Sequence, residues 1–136
     1  MAPELDPATL ERLVAAAQRV ARHAYAPASC FQVGAAVLAA DGEVYAGCNV
    51  ENASYGLTVC AERSAVFQAV AGGARKIEAV VVATPGAEPT SPCGACRQVL
   101  SEFGPDMAVI LIGRDGARRD HRLSELLPDP FTFGEE

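Results

Sequence analysis

The spacing of apolar positions changes several times along the chain, and each change marks an element. Asp6 and Pro7 form an N-cap and first-turn pair, after which Leu10, Leu13, Val14, Ala17, Val20, Ala21 and Ala24 recur at helical spacing. An amphipathic helix is expected there. Apolar runs over 33–38 and 44–48, separated by the turn residues Asp41 and Gly42, predict a β-hairpin. The alanine-rich stretch 60–70 reads as a second helix, stopped by Gly72 and Gly73 before the buried-strand run 77–83. A loop with prolines and a glycine over 84–92 leads to a third helix over 93–103, an apolar strand over 108–112, a turn over 113–116 and a short last strand near 119–123. This order predicts an α/β architecture, a sheet covered by helices on both faces. No repeat, linker or low-complexity tail breaks the pattern.

At 136 residues the chain fits a single domain over 1–136 with one proper core. Half the residues are hydrophobic and 21% are charged, well outside the disordered regime. The net charge of −6 argues against a nucleic-acid partner, because that affinity comes largely from Lys and Arg displacing counterions. The first ten residues lack the basic-then-apolar pattern of a signal peptide, and no apolar run reaches the roughly 20 residues of a membrane span. A cytoplasmic location and no membrane partner are expected. Five cysteines in a reducing compartment point to metal ligands or catalysis more than to disulfides.

Three of those cysteines carry the candidate chemistry. Cys93 and Cys96 are separated by two residues at the start of a helix, where unpaired backbone N–H groups and the helix dipole favour anionic sulfur. Cys60 opens the preceding helix. If the two helix starts converge, a zinc ion gains three thiolate ligands and keeps a fourth position open for water, as catalytic zinc sites do. Alone, Cys93 and Cys96 read equally as a redox pair or as half of a structural zinc site. No second Cys-x-x-Cys exists to complete a closed site, and Glu62 stands two residues after Cys60. A carboxylate beside zinc-bound water can take its proton and later deliver it, which makes Glu62 the candidate general acid/base. Three thiolates give the centre a formal charge of −1, and Arg63 and Arg97 are placed to offset it by hydrogen bonding to sulfur. His23 and His121 lie far from these motifs in sequence and read as surface or packing residues, and Cys30 and Cys48 as small buried hydrophobes.

These residues resemble the cytidine deaminase family, in its small homotetrameric branch. The resemblance spans nearly the whole chain. It rests on residues 31–36, on Gly47-Cys48-Asn49-Val50-Glu51-Asn52-Ala53-Ser54-Tyr55, on Cys60-Ala61-Glu62-Arg63, on Ser91-Pro92-Cys93-Gly94-Ala95-Cys96-Arg97-Gln98, and on Leu126-Leu127-Pro128 with Phe131. It implies a three-layer α/β/α domain around a mixed five-stranded sheet, with one zinc ion per chain. It also implies hydrolytic deamination of cytidine and 2′-deoxycytidine in pyrimidine salvage, with water activated on zinc for attack at C4 and Glu62 as proton carrier. Asn49 and Glu51 carry over as ribose ligands. Their chemistry agrees, since Asn both donates and accepts, Glu accepts, and alternate residues of an extended segment point the same way. Phe31 carries over as the ring packed against the pyrimidine, and the backbone at Ala61 as a contact to the base. Phe131 resembles a C-terminal aromatic that enters a neighbouring subunit's site, which implies a homotetramer with shared sites. Tyr55 resembles an interface residue. Gln32 stands where many members have proline, and residues 56–59 fall in a segment that varies.

Two other deaminases and one non-enzyme compete with this reading. A deaminase of a nucleoside antibiotic such as blasticidin shares the metal and glutamate motifs, but Asn49-Val50-Glu51-Asn52 weighs against it. A polynucleotide-editing enzyme generally uses histidine where this chain has Cys60, and needs a basic channel. A zinc-binding interaction module explains the cysteines but leaves Glu62 and the open coordination position without a purpose.

Overall fold

Asp6 accepts the backbone N–H of Thr9 at 3.2 Å and Pro7 fills the first turn, so the first helix begins where cap and proline together place it. The computed structural model describes residues 5–134. Helix α1 (Pro7–Ala21) is followed by strands β1 (Gly34–Ala39) and β2 (Val44–Cys48), helix α2 (Ala61–Ala71) and strand β3 (Ile77–Ala83). Helix α3 (Gly94–Phe103), strands β4 (Ala108–Ile112) and β5 (Arg118–Arg122) and the single turn α4 (Leu123–Leu126) complete the order. Among the described residues no helix is long and apolar enough to cross a membrane.

The strands form one mixed sheet in the order β2-β1-β3-β4-β5, in which only β3 and β4 run parallel. Successive side chains of a strand point to opposite faces, and each face here has its own core. On one face Ala35, Val37, Val80, Val82, Val109 and Leu111 meet Ala61, Ala65, Val66 and Ala69 of α2 and Leu100 of α3. On the other, Ala36, Leu38, Ala79, Val81, Ala108 and Ile110 meet Leu13 and Ala17 of α1. The three central strands are therefore covered on both sides, as their unbroken apolar runs require, and the layers are α/β/α.

Four details differ from the sequence reading. β1 is shifted by one residue, to Gly34–Ala39. The apolar spacing of α1 continues to Ala24, but the helix stops at Ala21 and the chain turns. A 3₁₀ turn, Tyr55–Leu57, precedes α2. The last strand ends at Arg122, because Glu125 accepts the Arg122 N–H at 2.9 Å and the buried Leu123 opens a helical turn instead.

Candidate active site

The sheet and its two covering helices bring the three sulfurs together. Cys60 is the N-cap of α2 and Cys93 the N-cap of α3, while Cys96 lies one turn into α3 and is fully buried. The Sγ atoms of Cys60 and Cys93 are 3.9 Å apart, those of Cys93 and Cys96 are 3.5 Å apart, and all three lie within 4.8 Å of one another. Tetrahedral bonds of about 2.3 Å would separate neighbouring thiolates by roughly 3.8 Å, so the donor set fits zinc. The Cys60 thiol is held well below its ordinary range, first by hydrogen bonding from Cys96 and then by Arg63, whose Nη2 lies 3.5 Å from the sulfur. Burial and the negative charge beside it push the Cys96 thiol up in turn, after the hydrogen bond it gives to Cys60. The buried Nε of Arg63 has no hydrogen-bond partner among the described residues.

Glu62 follows in the first turn of α2, only 5% exposed. Its carboxyl is pushed up to about 7, chiefly by burial and further by the charge on Cys60, against the lowering effects of a backbone N–H and of Arg63. A carboxyl poised there both takes and gives protons near neutrality. Glu62, Ala61, Cys60 and Cys93 share the wall of a cavity of about 510 Å³, a size suited to a small-molecule ligand. Phe31, Asn49 and Glu51 line the same cavity, and Ser29, Thr58, Thr84, Thr90 and Ser91 supply further polar groups.

Asn49 and Glu51 lie just past β2, with the 25–33 loop folded over them. The Asn49 amide donates to the Phe31 carbonyl at 2.9 Å and accepts the Val33 N–H at 2.8 Å. Glu51 accepts the backbone N–H groups of Ala28 and Ser29 at 2.8 and 3.2 Å and the Ser29 hydroxyl at 2.5 Å. The Ser29 hydroxyl, then the burial that opposes it, and these backbone donors leave the carboxyl below its usual 4.5.

Arg97, Cys30 and Cys48 depart from the sequence reading, whereas His23 and His121 follow it. Arg97 does not meet sulfur; its Nε and Nη1 donate to the carbonyls of Pro92 at 2.8 Å and Leu126 at 2.9 Å. Cys30 is exposed, at a left-handed φ of 59°, and Cys48 is half-buried. His23 is exposed and His121 half-buried on β5, and neither belongs to the sulfur cluster. Phe131 is 75% exposed, its ring edge-on to Phe133 at 6.3 Å, and does not wall the cavity of its own chain. Ser29 went unassigned in the sequence; its place two residues before Phe31 was the only available signal.

A buried carboxyl next to three convergent thiols, on the wall of a ligand-sized cavity in an α/β/α domain, has the makings of a zinc-dependent hydrolase. The profile of the cytidine and deoxycytidylate deaminase zinc-binding region matches residues 7–112, and the chain belongs to that family. A cytidine deaminase of Sporosarcina psychrophila is 45% identical over 124 residues, 90% of this chain and 91% of its own. One from Halalkalibacterium halodurans is 48% identical over 123 residues, 90% and 93% respectively. The crystal structure of cytidine deaminase from Burkholderia pseudomallei superposes with a TM-score of 0.85 at 48% identity, covering 89% of this chain and 98% of that one.

Proposed function

We propose that the protein hydrolyses cytidine and 2′-deoxycytidine to uridine and 2′-deoxyuridine with release of ammonia, a step of pyrimidine salvage. The observation that carries this reading is one cavity lined by Cys60, Cys93 and Glu62 together with Phe31, Asn49 and Glu51. The relatives named as cytidine deaminases support the same substrate.

Cys60, Cys93 and Cys96 would hold one zinc ion per chain, and when bound it supplies a Lewis acid that activates water at neutral pH for addition at C4 of the pyrimidine. Glu62 takes the proton that this water loses and delivers it to ring N3, then takes the remaining proton of the hydroxyl added at C4 and gives it to the amino nitrogen as the C4–N bond breaks and ammonia leaves. Its pKa near 7 and its burial suit both directions of transfer. Arg63 places positive charge on Cys60 and offsets the excess charge of three thiolates. Phe31 packs on the pyrimidine face, the Ala61 backbone meets the base, and Glu51 and Asn49 receive the ribose.

The same reading gives a homotetramer in which Phe131 completes a neighbour's site. Tyr55, Leu57, Phe67 and Phe131 are large apolar side chains left exposed on one chain, which association between copies would cover. The cytoplasm fits as its location, since reducing conditions keep three thiols free to bind metal. One domain over 1–136 would carry Cys60, Glu62, Cys93 and Cys96, with Phe131 supplied by a neighbouring copy.

Ultraviolet absorbance tests the reading, because loss of the 4-amino group changes the chromophore. Fast conversion of cytidine and deoxycytidine, little of free cytosine or blasticidin S, and an inactive Glu62→Gln variant are the expected results. A zinc-loaded protein that leaves both nucleosides untouched would overturn it.

A further inference from the structure

One hydroxyl joins the two cavity-lining residues, Glu51 and Phe31, that would hold sugar and base. Ser29 Oγ donates its single proton to Glu51 Oε2 at 2.5 Å, and the same oxygen accepts the Phe31 N–H at 3.0 Å. Phe31 is thereby held at both ends of its backbone, since its carbonyl accepts from Asn49. Between Ser29 and Phe31 stands Cys30 in the left-handed region, which a non-glycine residue seldom adopts unless its surroundings hold it there. The holding contacts are the Ser29 bridge and the Cys30 N–H donated to the Ala26 carbonyl at 2.8 Å.

The inventory of donors makes Ser29 distinct from its neighbours. Glu51 Oε1 is satisfied by two backbone N–H groups, which the substitutions of Ser29 by alanine or threonine leave in place. Oε2 has Ser29 as its described protein donor. A hydroxyl has one proton to give, and here Glu51 takes it, so Ser29 cannot also donate to a ligand. Its effect passes through Glu51 and Phe31.

We propose that Ser29 is a positioning residue, which by one hydroxyl orients the Glu51 carboxylate toward the sugar and fixes Phe31 against the base. The inference rests on the reading of Glu51 and Phe31 as substrate contacts. Removing the hydroxyl frees Oε2 to rotate toward water and leaves the Phe31 N–H to solvent. The substrate must then order both residues as it binds. That is a loss of binding common to ground and transition states, so it raises KM and spares kcat.

The test uses the zinc-loaded enzyme with Ser29→Ala, Ser29→Thr, Glu51→Gln and the Ser29→Ala/Glu51→Gln double variant. Cytidine is compared with 2′,3′-dideoxycytidine, measured as substrate or competitive inhibitor. Ser29→Ala is expected to raise KM for cytidine about tenfold with kcat within about twofold of the parent. Ser29→Thr, which keeps the hydroxyl, restores KM. The penalty shrinks for the dideoxy compound and in the Glu51→Gln background, the non-additivity of residues acting as one unit. Unchanged KM in Ser29→Ala, beside a raised KM in Glu51→Gln, would overturn the proposal and leave the Glu51 reading standing. A penalty of equal size for both compounds and in both backgrounds would overturn it too, because Ser29 would then act independently of Glu51. Unchanged KM in Glu51→Gln itself would remove the reading beneath it, and the proposal with it.

Discussion

Arg97 and Leu126 are joined by a hydrogen bond of 2.9 Å, from Nη1 to the backbone carbonyl. The same guanidinium bonds the Pro92 carbonyl through Nε, and the next residue, Gln98, donates to the Phe131 carbonyl at 2.9 Å. Helix α3 therefore fixes the loop before Cys93 and the segment bearing Phe131 with two adjacent side chains. Arg63, from α2, is the guanidinium that reaches sulfur.

The two arginines are expected to fail differently. Arg97→Ala loses two bonds from a charged donor to backbone carbonyls, which should lower stability by about 1–3 kcal/mol and leave zinc affinity unchanged. Arg63→Ala should weaken zinc roughly 10- to 100-fold, the usual effect of losing a partner of a metal ligand. Thermal melts and competition against a chromophoric chelator separate the two. Weakened zinc in Arg97→Ala would mean that its guanidinium acts on the sulfurs after all.

The central strands and the sulfur cluster were legible because their signals are local. Ile77–Ala83 and Ala108–Ile112 are short apolar runs bounded by turn residues, and Cys93 and Cys96 are neighbours on one helix. The Phe31 loop was not legible, since Glu51 holds Ser29 from 22 positions away and Arg97 holds Leu126 from 29. Cys30 read as buried from the habit of its residue type, whereas its exposure follows from a bend fixed by those distant partners. Phe131 gives no such signal within one chain, where its ring is 75% exposed.

Metal removal should abolish turnover and spare the fold. Leu13, Val66, Leu100 and Leu111 are fully buried in cores that do not include the three sulfurs, and α2 packs on the sheet through Ala61, Ala65, Val66 and Ala69. Chelation is expected to leave the far-ultraviolet dichroism nearly unchanged and zinc to restore activity. Loss of the helical signal on chelation would instead make the cluster structural, as in domains that fold only with their metal.

Gly34 should tolerate no side chain. A Cβ there would lie 1.9 Å from the Ala17 carbonyl oxygen and 2.8 Å from the Ala21 nitrogen, both backbone atoms of α1. Overpacking that moves a helix costs about 3 kcal/mol or more, roughly 10 °C in melting temperature for a domain of this size. Gly56→Ala, whose Cβ would meet nothing within 4 Å, is the control and should melt close to the parent. Similar melting of both variants would mean that α1 yields easily.

Asp106 gives the stability its acid limb. Its Oδ1 accepts the Ser124 hydroxyl at 2.5 Å and its Oδ2 pairs with Arg122, so α4 is tied to the turn before β4. Ser124 first, opposed by desolvation, and then Arg122 hold the carboxyl below its ordinary 3.8. A carboxyl depressed on folding stabilises the native state above its unfolded pKa, and that contribution disappears as pH falls through the lower folded value. Asp106→Asn should therefore melt below the parent by a small, constant margin between roughly pH 5 and 8, because an exposed pair is screened by solvent. The margin should narrow as pH falls below 3.8 and close past the lower folded value, where the native parent's own carboxyl is protonated. Melting temperatures of both proteins across that range decide the matter. A margin that persists undiminished in strong acid would show that Asp106 acts through shape and not through charge.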